Sequence, residues 1–331
     1  MEHRRFGTMG KTVSSLGLGG MSFADFYGAT TQADSFAVME AALELGVDHI
    51  DTSNIYGMGR SETAIGAFIK AYGSNPFAIA TKAGITSDPQ TGARCYDNSD
   101  AHLRLQLEGS LRRLGVEQVD LFYIHRRDAW RPIEEVMQTL VDLKAEGKIG
   151  GFGFSEIAPA SLRRACAVAP VDAVQNEYSL ATRLPELGMV QECARQGTAF
   201  VAFSPVGRGM LTDSPPIGER ISGNSFLSVN PRFVGKNHAD NMAMTDGFRR
   251  LAAQMGMSAS GLAIAWVLAQ GQHILAIPGT RSVQHLHELA RGAGRVLSAE
   301  ELAQIETVLP VGWAAGDRYS EGQNFGPERF C

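Results

Sequence analysis

The chain is poor in cysteine, in long apolar runs and in any surplus of basic charge. Its four cysteines, Cys95, Cys166, Cys193 and Cys331, never form a Cys-x-x-Cys pair. That usage gives no support for a structural zinc site or a disulfide framework. The thiols read as reduced side chains of a cytoplasmic protein with no metal centre. No stretch approaches the ~18 consecutive apolar residues of a membrane helix, so no membrane association is expected. The start, Met1-Glu-His-Arg-Arg5, is charged with no apolar segment behind it, and a secretory signal is not expected. Lys and Arg number 30 against 35 Asp and Glu, a net charge of −5. No basic stripe points to nucleic acid. The expected partner is a small molecule; a monomer and a weak homo-oligomer both remain open.

What is present is apolar content and glycine. Hydrophobic residues make up 44% of the 331 positions, enough for a large core, and 37 glycines suit many tight connections. Short β-rich runs alternate with amphipathic stretches of helical length. The strands are expected at 15–20, 47–51, 77–82, 119–125, 149–153, 173–175, 199–204 and 274–278. Helices are expected at 32–45, 99–114, 132–146, 159–168, 185–196 and 282–292. Ser99-Asp100 reads as an N-cap region, Pro132 as a helix-starting proline, and Gly115 and Gly147 as helix stops.

Eight strand–helix alternations predict a single-domain (β/α)8 TIM barrel over residues 1–331. The competing open α/β sheet usually carries a Gly-x-Gly-x-x-Gly turn after its first strand. Gly17-Leu-Gly19-Gly20-Met21 lacks that spacing. Residues 206–241 are rich in Gly, Pro, Ser and Asn and read as a long active-site loop; residues 309–331 read as an irregular C-terminal tail.

Barrel enzymes build their sites at the C-terminal ends of the strands. Asp51, Lys82 and His125 each end a predicted strand, and Tyr56 lies on the loop just beyond the second. Singly, each has an ordinary explanation. Asp51 could cap a helix, Lys82 could be a solvated rim residue, and His125-Arg126-Arg127-Asp128 could be a surface charge cluster. Together on one rim they suit proton donation to a carbonyl oxygen. An ammonium near a phenol favours the phenolate and lowers its pKa. Lys82 would supply that charge, Asp51 would fix Lys82, His125 would orient the substrate oxygen, and Tyr56 would give the proton. Charge develops on a carbonyl oxygen without a protein nucleophile when hydride adds, which calls for a hydride-carrying cofactor.

Several segments then resemble the signature segments of the aldo-keto reductases, in order, from about Phe6 to Leu309. They are Asp51-Thr-Ser-Asn-Ile-Tyr-Gly57, Thr81-Lys82, Asp120-Leu-Phe-Tyr-Ile-His-Arg126, Gly147-Lys-Ile-Gly-Gly-Phe-Gly-Phe-Ser155-Glu156, Val174-Gln175-Asn-Glu-Tyr178, Ala202-Phe203-Ser204-Pro205-Val-Gly207-Arg208-Gly209 and Ile277-Pro278-Gly279-Thr280-Arg281-Ser282. The combination most resembles the branch with perakine-reductase-like and pyridoxal-reductase-like enzymes. The resemblance implies an NADP-dependent reductase of aldehydes or ketones. It makes Asp51, Tyr56, Lys82 and His125 a catalytic tetrad with Tyr56 as general acid. Ser155 and Gln175 would hold the nicotinamide carboxamide, and Phe203 would stack on the ring. Ser204, Pro205, Gly207, Arg208 and Gly209 would line the pyrophosphate. Gly279, Thr280, Arg281 and His285 would face the adenosine phosphate and Glu288 the adenine, and Gly20, Met21 and Asp51 would complete the cofactor contacts. Arg281 at a helix start favours NADP over NAD.

The chain also departs from the family pattern. Glu156 follows Ser155 where a typical member has Asn, Glu288-Leu289 stands where many have Glu-Asn, and His285 stands where many have arginine. Histidine titrates in the physiological range as a residue type, so weaker or more pH-sensitive cofactor affinity is expected. The substrate pocket is expected to be walled by Met21, Phe23, Phe26, Tyr27, Tyr56, His125, Trp130 and residues 230–233, an aromatic setting that suits an aromatic or terpenoid-like carbonyl more than a free sugar. Two other readings fit less well. A redox-sensing NADPH-binding subunit without turnover would need a partner surface. A metal-dependent hydrolase would have Lys82 repelling the cation.

Overall fold

The computed structural model describes residues 1–329, so Cys331 falls outside the described residues. All eight expected strands are present. They are β1 (Leu18–Gly19), β2 (His49–Asp51), β3 (Ala78–Ala83), β4 (Val119–Ile124), β5 (Ile149–Ser155), β6 (Ala173–Glu177), β7 (Ala199–Phe203) and β8 (Ile274–Ala276). Each is parallel to the next, in chain order. The sheet closes on itself where Leu16 bridges Ala276: the Gly17 N–H donates to the Ala276 carbonyl at 2.8 Å, and the Ala276 N–H to the Ser15 carbonyl at 3.0 Å. The fold is a single-domain (β/α)8 barrel.

Around it run α1 (Gln32–Glu44), α2 (Arg60–Tyr72), α3 (Asp100–Leu114), α4 (Ile133–Ala145), α5 (Pro159–Cys166), α6 (Met189–Gln196), α7 (Gly235–Gln254), α8 (Ala259–Ala269), α9 (Val283–Ala293) and α10 (Ala299–Val308). Three expectations need correcting. The helix expected over 185–196 is broken at Gly188, whose φ of 136° no L side chain adopts readily, into a 3-10 turn and α6. The loop expected over 206–241 ends at Val234, just before α7, and holds short 3-10 turns and one single-turn α-helix, Glu219–Ser222. Four helices, α2, α7, α8 and α10, were not anticipated. Two antiparallel hairpins are also additional: His3–Arg5 with Thr12–Ser14, and Ile85–Ser87 with Arg94–Tyr96. Among the described residues no single helix is long and apolar enough to cross a membrane; only α7 with α8 passes by length and composition, bent by 88°.

Strand side chains alternate between two environments, as their period of two requires. In β3, Ile79 and Ala83 face the helices, while Ala78 and Ala80 face the barrel interior. The interior is filled by Ala78, Ala80, Ala173 and Ala199 together with Leu121, Tyr123, Val201, Leu275 and Ile277. Gly153 makes room for Tyr123: a Cβ there would lie 2.3 Å from the Ala173 carbonyl oxygen and 2.8 Å from the Tyr123 ring. Phe6 and Val13 of the first hairpin join this interior cluster. The inward rows, continued toward the strand ends, run Ala78-Ala80-Lys82, Leu121-Tyr123-His125, Ala173-Gln175-Glu177 and Ala199-Val201-Phe203. Alternation alone therefore brings the chemistry to one rim.

Candidate active site

At that rim Lys82 is fully buried and binds three groups. Its ammonium donates to Asp51 Oδ1, to the Thr52 carbonyl at 2.9 Å and to the Tyr56 hydroxyl at 3.4 Å. Gln175 Nε2 donates to the other Asp51 oxygen at 2.7 Å. Burial pushes the Asp51 carboxyl up, while Lys82 and Gln175 pull it back. Burial works against the Lys82 charge, but Asp51 and Tyr56 together more than offset it and the ammonium is held above its ordinary pKa. The two form a buried ion pair.

Burial likewise raises the Tyr56 phenol, with Lys82 acting in the opposite direction. This corrects the expectation that the ammonium lowers the phenol: desolvation is the larger influence, and Tyr56 stays protonated.

His125 completes the group. Its ring meets that of Tyr56 edge-on, with centroids 5.9 Å apart. Burial and then the Arg126 and Lys82 charges push its imidazole well below the ordinary histidine value, so it is neutral. Its Nδ1 lies 3.1 Å from the buried Ser53 hydroxyl. The Ser53 hydroxyl also lies 3.3 Å from both Asn54 Oδ1 and the Lys82 carbonyl; in the tautomer where it donates to His125 Nδ1, Nε2 carries the proton as a donor.

Ser155 and Gln175 are direct cross-strand partners on β5 and β6. Phe203 closes the next strand, partly exposed beside the interior cluster. Beyond it, Ser204, Gly207, Arg208 and Gly209 all have positive φ, at 50°, 58°, 57° and 94°. Successive left-handed residues curl a backbone into a concavity suited to anions. Pro205 in the same turn is buried. At the start of α9, Ser282 caps the His285 N–H, while the first-turn N–H groups have no partner within the helix. Arg281 stands there exposed, with one N–H donated to the Ala29 carbonyl at 2.6 Å. Gly279 packs so closely on Gly19 and Ser22 that a Cβ would lie 2.6 Å from the Ser22 hydroxyl; Gly20 and Met21 begin the same 3-10 turn.

Phe23, Trp130 and Arg208 are placed differently from expectation. The Phe23 ring is buried in the core under the helices, not at a pocket wall. Trp130 is 96% exposed on the loop after β4. The Arg208 guanidinium turns inward to Glu177 at 2.5 Å and lies between the Phe226 and Tyr319 rings, so it is already paired. Tyr27 lies near that pair, its phenol raised by burial. Glu288 accepts a bond from Ser260 on α8 at 3.1 Å, and His285 is exposed. Thr280 is buried, its hydroxyl receiving the Ser282 N–H at 3.0 Å.

Sequence reasoning missed three features. Ser53, the partner of His125, sits inside the segment singled out and carried no separate signal. Arg126 and Arg127, read as part of a possible surface cluster, are buried at 7% and 9% exposure. A network of Glu156, Glu177, Arg208, Arg232 and Arg318 ties the tail to the strand ends. Burial works against the Glu177 carboxylate, yet the three arginines around it hold its pKa down.

A buried Asp–Lys pair against a tyrosine and a neutral histidine, at the C-terminal mouth of a barrel, defines an oxidoreductase-type proton-transfer site. Residues 15–310 match the aldo/keto reductase family. The chain belongs to that family. It is 36% identical over 319 residues to the probable aldo-keto reductase 1 of Glycine max, covering 96% of this chain and 92% of the relative. It is 34% identical over 315 residues to aldo-keto reductase yakc [NADP(+)] of Schizosaccharomyces pombe, covering 94% and 93%. In structure it is similar to the glycerol dehydrogenase AKR11B4 of Gluconobacter oxydans, with a TM-score of 0.81 at 28% identity over 93% of this chain and 94% of that one.

Proposed function

We propose that this oxidoreductase uses NADPH to reduce an aldehyde or ketone to an alcohol, with Tyr56 as the general acid. The observation that carries this reading is the Lys82 ammonium held between Asp51 and the Tyr56 hydroxyl, at the rim His125 shares. The donor set fits a nicotinamide dinucleotide. Ser155 and Gln175 would hold its amide, Phe203 would offer a face to its ring, and the left-handed turn at 204–209 with the start of α9 would take its phosphates. When bound, that group supplies hydride to the carbonyl carbon.

The protein does the rest. His125 Nε2–H donates to the carbonyl oxygen and fixes its position. Tyr56 gives its proton to that oxygen as the C=O π pair moves onto it, and the phenolate left behind is balanced by Lys82. Asp51 keeps Lys82 in place throughout. A phenol raised by burial suits this role, because it holds its proton until a strong base forms beside it.

Arg281, exposed beside the open first turn of α9, supports NADP over NAD, and a relative whose name carries NADP(+) agrees. The aromatic rings of Phe26, Tyr27, Phe226 and Tyr319 near the rim favour an aromatic or terpenoid-like carbonyl, and the few unpaired cysteines suit a cytoplasmic setting. The test is a panel of aldehydes, ketones, sugars and pyridoxal, followed by loss of reduced-nicotinamide absorbance with NADPH and NADH in parallel. Turnover of carbonyls with NADPH supports the reading. NADPH binding without turnover on any of them favours a cofactor-sensing role instead.

A further inference from the structure

Arg126 is a buried cation that the chemistry above leaves unused. It follows His125 directly and is 7% exposed. Among the described residues its guanidinium makes no ion pair. Its Nη1 donates to the His125 carbonyl at 2.6 Å and to Ser155 Oγ at 3.0 Å. Burying a cation without a counter-charge is costly, so its place beside the site asks for a reason.

The reason lies in what it does to Ser155. A guanidinium can only donate. Ser155 Oγ is therefore an acceptor toward Arg126, and its own proton is free to be given to a ligand. On the adjacent strand, Gln175 Nε2 donates to Asp51. Because the carboxylate paired with Lys82 can only accept, the nitrogen end of the amide must face it, and Oε1 is left to accept. Ser155 and Gln175 are register partners, so a donor and an acceptor stand side by side. Their polarity is fixed by Arg126 on one flank and Asp51 on the other. A primary carboxamide offers the complement, one carbonyl acceptor beside one N–H donor. Glu156 cannot share this task. Its φ is 58°, and its carboxylate is taken by Arg318 and by the Glu177 N–H at 2.8 Å.

We infer that Arg126 is a positioning residue for the cofactor's carboxamide, acting by holding the Ser155 hydroxyl as a donor. This rests on the nicotinamide reading above.

The test uses fluorescence titration of the whole chain with two probes, NADPH and adenosine 2′,5′-bisphosphate, which has no nicotinamide. R126M should weaken NADPH binding about tenfold, the scale of one charge-assisted hydrogen bond, and leave the bisphosphate within about twofold. S155A should do the same. The double variant should be no weaker than S155A alone, since Arg126 acts through Ser155. Equal weakening of both probes by R126M, unchanged NADPH binding, or losses that add in the double variant would overturn the inference. Should R126M not fold, R126K carries the same comparison, because its shorter stem cannot place one nitrogen against both the His125 carbonyl and Ser155 Oγ; a loss confined to NADPH supports the inference and an equal loss for both probes overturns it. Wild-type protein that binds the bisphosphate but not NADPH overturns the nicotinamide reading itself, and that failure is visible before any variant is made.

Discussion

Lys82 Nζ stands 3.4 Å from the Tyr56 hydroxyl while its remaining bonds go to Asp51 and the Thr52 carbonyl. The ammonium is thus tethered on one side and presented to the phenol on the other. Its charge does not acidify the resting tyrosine, because burial outweighs it. Its effect falls on the tyrosinate that forms once the proton has left.

That balance sets a pH profile. Tyr56 is raised above the ordinary phenol value of ~10, and His125 is lowered well below ~6.5. Between them, Tyr56 is protonated and His125 neutral, the forms reduction needs. The rate of carbonyl reduction at saturating substrate should therefore be level from about pH 6.5 to 9 and fall only on the alkaline side as Tyr56 ionises. Oxidation of the alcohol, which needs the phenolate, should rise with pH over the same range. Steady-state rates in both directions check this; an acid limb centred near pH 6.5 in the reductive direction would show His125 titrating.

Removing the ammonium should damage the fold as well as the chemistry. Lys82→Met leaves Asp51 buried with only Gln175 to answer its charge, and breaking such a pair costs about 3–5 kcal/mol. Asp51→Asn in the same background removes the stranded charge. The double variant should accordingly be more stable than Lys82→Met alone in urea denaturation. Equal stability of the two would mean that Asp51 is not ionised.

A second buried histidine gives a stability prediction away from the rim. His49 on β2 is 2% exposed and binds the Ser14 carbonyl at 3.0 Å through Nε2. Burial lowers its pKa to about 4, against opposing influences from Asp48 and Ser14. The folded state thus resists a proton that the unfolded state takes up below ~6.5. Stability from this group is full above pH 6.5 and is lost as pH falls toward 4, by about 3 kcal/mol in all. His49→Asn should flatten that part of the urea-midpoint profile. An unchanged slope would place the acid sensitivity elsewhere.

The barrel was legible in the sequence because its strands are short apolar runs set off by glycine and by helices with polar caps. Helix α3 shows this: Ser99 caps it and Gly115 ends it in a left-handed conformation, as its sequence suggests. Helix α8 shows the opposite. Every residue from Ala259 to Leu268 is buried, so no polar face marks its period. Helix α2 begins at Arg60 behind Gly59, which offers no side-chain cap, directly after the Tyr56 loop, and its start carries no signal.

At the site, Asp51, Tyr56, Lys82 and His125 could be placed on one rim because three of them end strands. The burial of Arg126 could not be read, since Arg-Arg-Asp in a row also describes a solvated loop. Nor could the inward turn of Arg208, which depends on Glu177 and on aromatic rings far along the chain, Phe226 and Tyr319.

Tyr56→Phe tests the central claim most directly. The substitution keeps the ring against His125 and removes only the oxygen that Lys82 reaches. Reduction of the best carbonyl found in the panel should lose roughly 10²- to 10⁴-fold in kcat, while NADPH affinity by fluorescence titration stays within about twofold. Turnover equal to that of the unaltered chain would contradict the account, because the proton would then come from another group.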